Sequence, residues 1–287
     1  MLCGFVFRTC WKELIVKHYR IIDAHCHIYP DKIAEKASEG TSNFYHMPSL
    51  FDGKISTLLE RGRTAGIEHF IVQSVATTPK QVSNINHFIA EAVAEQNGRF
   101  TGLGTLHPDS EHIEEEVEEI LSLGLKGVKL HPDIQRFCID DPKMDKIYAL
   151  CEGRLPILMH TGDHRFDFSN PNRMEPVLKK YPNLTVIGAH FGGWSVWEEA
   201  TEKLAKYPNF LVDCSSSLYA MSAEKARELI FAYGTDRVLF GTDYPMWEIE
   251  TELRRFMAID LTEEQREDIF YNNAAKLFLE PICTVET

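Results

Sequence analysis

Hydrophobic and polar positions alternate between two patterns along the chain from residue 20 onward. Short apolar runs, typical of buried strands, are each followed by a longer segment with apolar residues at helical spacing. The apolar runs predict strands at residues 20–27, 67–75, 100–106, 125–130, 156–160, 184–190, 209–214 and 237–242. The helical spacing predicts helices at residues 54–65, 81–96, 111–123, 141–151, 174–181, 196–206, 223–233, 249–257 and 262–270. Residues 29–53, rich in polar and turn-forming residues, are predicted to be irregular.

The regular succession of strands and helices predicts the fold. About eight strand and helix units with short connections favour a single α/β domain, a (β/α)8 TIM barrel. A doubly wound open sheet is the alternative. The connection after the first strand contains neither a GxGxxG nor a GKS phosphate-binding loop, which removes the usual reason to favour that alternative. We therefore predict a barrel domain at residues 20–287, preceded by an N-terminal extension at residues 1–19.

The composition restricts the class of partner. The chain has 287 residues and a formal net charge of −13. This charge argues against nucleic acid or an anionic membrane surface, because those partners attract clustered lysine and arginine. The apolar stretches of residues 1–19 are too short to cross a bilayer and lack the features of a signal peptide. Seven cysteines without a CxxC pair indicate reduced thiols. We expect a cytoplasmic protein with a small-molecule partner.

The ends of the predicted strands carry the candidate chemistry, since the carboxyl ends of barrel strands form the active site of such folds. His25 and His27 end the first strand and lie on one side of it, because side chains alternate with period two, while Cys26 faces away. The later strands four, five, six and eight end in Lys129 and His131, His160, His190 and Asp243. Imidazole and carboxylate groups that converge from several strands are typical of a catalytic metal site.

These motifs resemble a known family. The segments are Asp23 to His27, Lys129 to Pro132, His160 to Gly162, Gly188 to Gly193, Phe240 to Pro245 and Asn273 to Phe278. Their order and positions resemble the amidohydrolase superfamily and, more narrowly, its amidohydrolase-related branch, which includes the aminocarboxymuconate-semialdehyde decarboxylase-like enzymes. The resemblance covers residues 21 to 278. It is specific for the family and unspecific for the substrate.

The resemblance implies roles for individual residues. His25, His27, His160 and Asp243 would bind one divalent metal ion, most often Zn²⁺, with Mn²⁺ as the alternative, and His190 would lie beside the ion and the substrate. Asp243 and His190 are the predicted catalytic residues. The implied activity is that of a metal-dependent hydrolase, acting on a small carboxylated molecule through a metal-activated water. A decarboxylase of an unsaturated or aromatic acid on the same site, and an inactive barrel that serves as a binding module, are the alternatives. We favour the hydrolase narrowly.

Further residues are candidates for substrate binding, each with a structural alternative. His131 either contacts metal or substrate or caps the turn that follows it, and Lys129 is either a charged structural lysine or a carbamylated bridge between two metals. Arg136 and Arg165 either pair with a substrate carboxylate or lie exposed in loops. Trp194, Tyr244 and Trp247 are candidate aromatic walls, and the segment around Phe44, Tyr45 and His46 is a candidate lid. The resemblance also leaves a homodimer open.

Overall fold

Eight parallel strands form the centre of the molecule. The computed structural model describes residues 19–280, and the strands and contacts below are those of this part of the chain. The strands are β1 (Ile22–His27), β2 (His69–Gln73), β3 in two segments (Phe100–Gly102 and Gly104–Thr105), β4 (Val128–Leu130), β5 (Ile157–Met159), β6 (Val186–Gly188), β7 (Phe210–Asp213) and β8 (Val238–Leu239). Each strand pairs in parallel with the next. The amide of Ala24 donates to Phe240 O at 2.8 Å and that of His27 to Tyr244 O at 2.7 Å, so β8 returns to β1. The predicted (β/α)8 barrel is therefore confirmed.

Helices surround the strands. They are α1 (Ala34–Tyr45), α2 (Ile55–Ala65), α3 (Val82–Glu95), α4 (Ile113–Ser122), α5 (Pro132–Gln135), α6 (Met144–Cys151), α7 (Pro171–Lys180), α8 (Trp197–Leu204), α9 (Ala223–Tyr233), α10 (Ile249–Met257), α11 (Glu263–Glu267) and α12 (Asn273–Phe278). Short 3₁₀ segments lie at Pro79–Gln81 and Thr235–Arg237, and a π-helical turn at Asp268–Asn272 joins α11 to α12.

Helices α5 and α12 were not predicted, and two further helical predictions need correction. Residues 29–53 were predicted to be irregular, but they contain α1. This helix buries only Ala34 and Ser38, so its sequence lacks the strong apolar stripe of a helix packed on the side of the barrel. The second concerns Asp141, predicted to begin a helix. Its carboxylate accepts the amide of Lys143 at 2.9 Å, which caps a turn, and α6 begins only at Met144.

The apolar side chains of the strands form two layers. Alternate residues face the barrel interior, where one cluster contains Ile22, Ala24, Ile71, Leu103, Leu158, Ile187, Ala189 and Leu239 and is closed at one end by Ala274 and Phe278 of α12. The other strand residues pack outward against the helices. Strands buried on both faces are apolar throughout, which is why they could be recognised in the sequence. Cys26 belongs to the outer layer, as predicted.

Tyr19 is the first residue that the structure describes. Its ring lies 5.4 Å from that of Phe270 and its hydroxyl donates to Glu263 at 2.7 Å, so it is packed against the barrel. The rest of the predicted extension, residues 1–18, lies outside the described residues. Among residues 19–280, no helix is long and apolar enough to cross a membrane.

Candidate active site

Three side chains at the carboxyl ends of β1 and β8 form a compact cluster. His25 Nε2 lies 3.2 Å from His27 Nε2, and Asp243 Oδ1 lies 3.4 Å from the first of these nitrogens and 3.5 Å from the second. All three ligand atoms lie within 4.8 Å of one another, close enough to converge on a single ion. Two imidazole nitrogens and a carboxylate oxygen are a suitable donor set for a divalent first-row metal. The structure thus brings together three of the four predicted ligands.

One imidazole of this cluster is held neutral by burial, and the other is oriented by a carboxylate. Burial, together with the positive charge of Lys129, lowers the pKa of His27 well below its ordinary value, so the ring is neutral and keeps a lone pair. His25 Nδ1 donates to Asp213 Oδ2 at 2.9 Å, and this leaves Nε2 as the acceptor that faces His27 and Asp243. A histidine held in this way by a carboxylate is typical of metal centres.

Asp213 is a functional candidate that the sequence analysis missed. It ends β7, is fully buried, and accepts the amides of His190 at 3.2 Å and Ser215 at 3.0 Å through the oxygen that does not contact His25. Burial by itself raises the pKa of Asp213, but His25, His190 and the hydrogen bond from Ser215 together hold it below its ordinary value. The available signal was its position: an aspartate at the end of a predicted strand, as at Asp243.

Backbone conformation fixes two of the candidates at the mouth of the barrel. His190 and Asp243 both have φ of 61°, in the left-handed region that most side chains avoid. The amide of Asp243 donates to His25 O at 2.9 Å, which joins the end of β8 to β1. His190 Nδ1 lies 3.0 Å from Ser215 O, and the second oxygen of Asp243 accepts from Ser216 Oγ at 2.5 Å. Burial lowers the pKa of His190 to about 4.

His160 lies near this cluster but has its own partners. Its ring centroid is 5.0 Å from that of His190, and its Nε2 lies 3.6 Å from Asp133 Oδ2 without a hydrogen bond. Its ring is stacked on that of His131 at 4.0 Å and an interplanar angle of 6°. Since metals bind imidazole nitrogens in the ring plane, one ion cannot lie in both of these parallel planes. His131 and His160 therefore do not form a shared metal site in this arrangement.

His131 makes the cap that was one of its two predicted alternatives, and its contact with metal or substrate stays a prediction. Its Nδ1 accepts the amide of Ile134 at 3.3 Å, so it caps α5. Its Nε2 lies 2.7 Å from the hydroxyl of Tyr45, which is also 3.5 Å from His160 Nδ1. Tyr45, at the end of α1, therefore covers both histidines, in the segment predicted as a lid.

Lys129 reaches the centre of the site. Its side chain is buried, and its Nζ lies 3.1 Å from His25 Nε2. Burial lowers the pKa of Lys129 to about 8, although Asp213 and Asp243 oppose this effect. The lysine contacts the same lone pair of His25 that faces the candidate metal ligands.

A cavity of about 600 Å³ opens from these residues. Its polar end is lined by the charged and imidazole side chains described above: His25, His27, Lys129, His131, His160, His190 and Asp243. One face of α1 covers the cavity with Ala37, Gly40, Thr41 and Phe44. Ile85 and Phe88 of α3 lie on its wall. A cavity of this size with a few convergent polar groups is typical of a small-molecule site.

Three of the predicted substrate-binding residues do not line the cavity: Arg136, Arg165 and Tyr244. Arg136 is exposed, and Arg165 makes a bidentate ion pair with Asp163, with Nε to Oδ1 at 2.9 Å and Nη2 to Oδ2 at 2.7 Å. Neither arginine is among the described residues that line the cavity. Tyr244 is fully buried behind it, with its hydroxyl on Lys54 O at 2.8 Å.

The two predicted aromatic walls that follow β6 and β8 do meet at the site. Trp194 and Trp247 line a small recess beside His160, His190 and Asp243. Trp247 Nε1 also donates to Ser216 at 2.7 Å, and Ser216 in turn binds Asp243.

Known structures share this fold. 5-Carboxyvanillate decarboxylase from Sphingomonas paucimobilis is similar with a TM-score of 0.73 and 16% identity, over 91% of this chain and 99% of that chain. Dihydroxybenzoic acid decarboxylase from Polaromonas sp. JS666, with manganese and the inhibitor 2-nitroresorcinol, has a TM-score of 0.66 and 19% identity over 91% and 97%. A Pseudomonas putida protein provisionally assigned as a 2-pyrone-4,6-dicarboxylic acid hydrolase has a TM-score of 0.64 and 19% identity over 91% and 98%. At these identities the likeness concerns the fold.

The sequence itself identifies the family. The family model described as amidohydrolase matches residues 22–279, almost the whole of the described chain. This range includes each of the motifs on which the resemblance was based, so the resemblance is confirmed. The chain belongs to the amidohydrolase family.

Proposed function

We propose that this enzyme is a metal-dependent decarboxylase of a small carboxylic acid. The observation that carries the proposal is the cluster of His25, His27 and Asp243 with Lys129 at the polar end of a largely apolar cavity. Such a cavity can hold a carboxylate against positive charge while its walls keep bulk water away, and loss of CO₂ consumes no water. The decarboxylases of similar fold support this choice.

Four residues would hold the metal. His25, His27 and Asp243 are included for their converging ligand atoms, and His160 for its buried Nε2, which has no hydrogen-bond partner among the described residues, and for its family motif. Manganese in one structure of similar fold makes Mn²⁺ as reasonable as Zn²⁺. When bound, such an ion supplies Lewis-acid polarisation of a substrate oxygen.

The side chains of the chain itself would perform the remaining steps. Lys129 would pair with the substrate carboxylate, and His190, held through Nδ1 by Ser215, would orient the substrate. When the carbon–carbon bond breaks, its electron pair stays on the substrate carbon and CO₂ leaves. Asp243 would relay one proton from solvent to that carbon, which leaves its carboxylate as it was before the reaction.

Product analysis in isotopically labelled water tests the proposal. The metal-loaded protein is incubated with a panel of hydroxybenzoates and unsaturated acids in heavy-oxygen, deuterated water. We expect one CO₂ per product, with deuterium on the product carbon and no heavy oxygen in the organic product. Asp243→Asn should abolish turnover, whereas Asp260→Asn, at a side chain that is 95% exposed, should not. Metal content that does not depend on Asp243 would contradict the assigned site.

Hydrolysis is the second candidate, and our sequence analysis favoured it narrowly. The specific observation in its favour is that Asp243 and His190 both line the cavity and could serve as base and acid for attack by water. The provisional hydrolase of similar fold is consistent with it. Heavy oxygen in a carboxylic acid product, without CO₂, would establish hydrolysis and refute decarboxylation. The cytoplasmic location and the homodimer stay predictions.

A further inference from the structure

The cavity is much larger and more apolar than its reactive end requires. Ile85 and Phe88 lie three residues apart on α3, so they share a face of that helix, and both line the cavity. The inner face of α1, with Ala37, Gly40 and Phe44, lines the same cavity. Ile33, just before α1, also lines the cavity and is 51% exposed, although it is a large hydrophobic residue. These residues form an apolar compartment between α1 and α3.

Charge is confined to the reactive end. Among the described residues that line the cavity, Lys129 is the one lysine or arginine and Asp243 is the one carboxylate. The rim beside α3 carries Thr77, Gln81 and Asn84, which are polar but uncharged. Arg165, the nearby candidate for a second anion, is already bound to Asp163 and donates to Phe44 O at 2.8 Å. A second carboxylate on the substrate would therefore lose its hydration in the compartment without gaining a cation.

We propose that the substrate is a monocarboxylate with an extended apolar body, which lies between α1 and α3 while its carboxylate faces Lys129. This inference rests on the proposed function, since it assigns the carboxylate to the reactive end. It specifies the substrate class more narrowly, because it excludes dicarboxylic acids and predicts that affinity increases with apolar length.

Calorimetric titration with three probes of the same ring tests it. The full chain, with its metal content measured beforehand, is titrated with benzoate, 4-butylbenzoate and terephthalate. Burial of each methylene contributes about 0.8 kcal/mol, or roughly fourfold in affinity, so partial burial of the butyl group should make 4-butylbenzoate bind at least about tenfold tighter than benzoate. Terephthalate should bind more weakly than benzoate.

Two variants locate the effect in the compartment. Phe88→Ala removes part of the wall and should reduce the advantage of the butyl group. Gly40→Leu adds bulk on the inner face of α1 at a position where an added Cβ meets no atom within 4 Å, so it should fold normally and lower the affinity for 4-butylbenzoate more than that for benzoate. Phe231→Ala, on α9 at a side chain that is 44% exposed, is the control and should change neither affinity.

The outcomes separate this inference from the proposed function. Terephthalate binding as tightly as 4-butylbenzoate, no binding of 4-butylbenzoate at millimolar concentration, or a butyl advantage unchanged in both variants would overturn the inference. If metal and CO₂ release are found without a preference for the butyl group, only the inference fails. If the preference is found in a protein that binds no metal, only the proposed function fails.

Discussion

Replacement of Asp213 by asparagine should weaken metal binding through His25. One oxygen of Asp213 accepts from His25 Nδ1 at 2.9 Å, and the other accepts the amides of His190 at 3.2 Å and Ser215 at 3.0 Å. Asparagine has one acceptor oxygen. The two backbone amides cannot reverse their polarity, so they retain that oxygen, and the new NH₂ group faces His25 Nδ1. His25 can then accept this bond only by moving its proton to Nε2, the nitrogen that would bind the metal.

The size of the effect follows from the contact that is lost. Removal of a carboxylate that orients a metal-binding histidine typically costs about 10- to 100-fold in metal affinity, which corresponds to roughly 1.4–2.7 kcal/mol. Competition of the protein with a chromophoric zinc chelator measures this affinity, and circular dichroism shows whether the variant is folded. Asp260→Asn is the matched control, since that side chain is 95% exposed. A folded Asp213→Asn protein that binds zinc within twofold of the wild type would refute this reasoning.

Three other predictions concern charge and backbone. Lys129→Met should raise zinc affinity at least about tenfold, because a positive charge 3.1 Å from His25 Nε2 opposes the binding of a cation. If the variant instead loses metal in chelator competition, Lys129 is a ligand. Burial raises the pKa of the Glu252 carboxyl from 4.5 to about 7. The stability that the folded protein gains from holding this proton is therefore fully present below pH 4.5, and it is lost as the pH rises through 7. Glu252→Gln should therefore increase the free energy of unfolding by up to about 3 kcal/mol at pH 8 and leave it unchanged at pH 4, as urea titrations at both pH values would show. Gly162→Ala should lower the free energy of unfolding by at least about 2 kcal/mol, because φ is 72° and an added Cβ would lie 2.5 Å from a backbone atom of the next loop. The control is Gly153→Ala, where φ is 70° and the added Cβ meets open space. It should cost only about 1 kcal/mol in the same titration.

The apolar pattern was sufficient to predict the barrel, and the reason lies in how its strands are buried. Each strand is covered on both faces, so its sequence is a short apolar run that contrasts with the amphipathic helices. The helices Ala223–Tyr233 and Ile249–Met257 have the bounds that their spacing predicted. The helix Ala34–Tyr45 was missed because it covers the mouth of the barrel and buries little apolar surface.

The candidate site could likewise be predicted from the sequence only in part. His25, His27 and Asp243 could be predicted to meet, because the ends of parallel strands in a closed barrel meet at one mouth and their residue types suit a metal. Period-two geometry also placed Cys26 on the opposite side. These conclusions need only local sequence and a known architecture.

Specific contacts between distant segments were decided by the tertiary structure alone. Asp213 and His25 are 188 positions apart, and no local pattern pairs them. The contact of Tyr45 with His131 and the uncharged wall of the cavity likewise depend on how side chains from separate segments pack. The sequence by itself therefore determined the barrel, the family and the residue types at its mouth. Only tertiary packing decided which of those residues are paired and which face the substrate, because these choices depend on contacts across the barrel that no local spacing encodes.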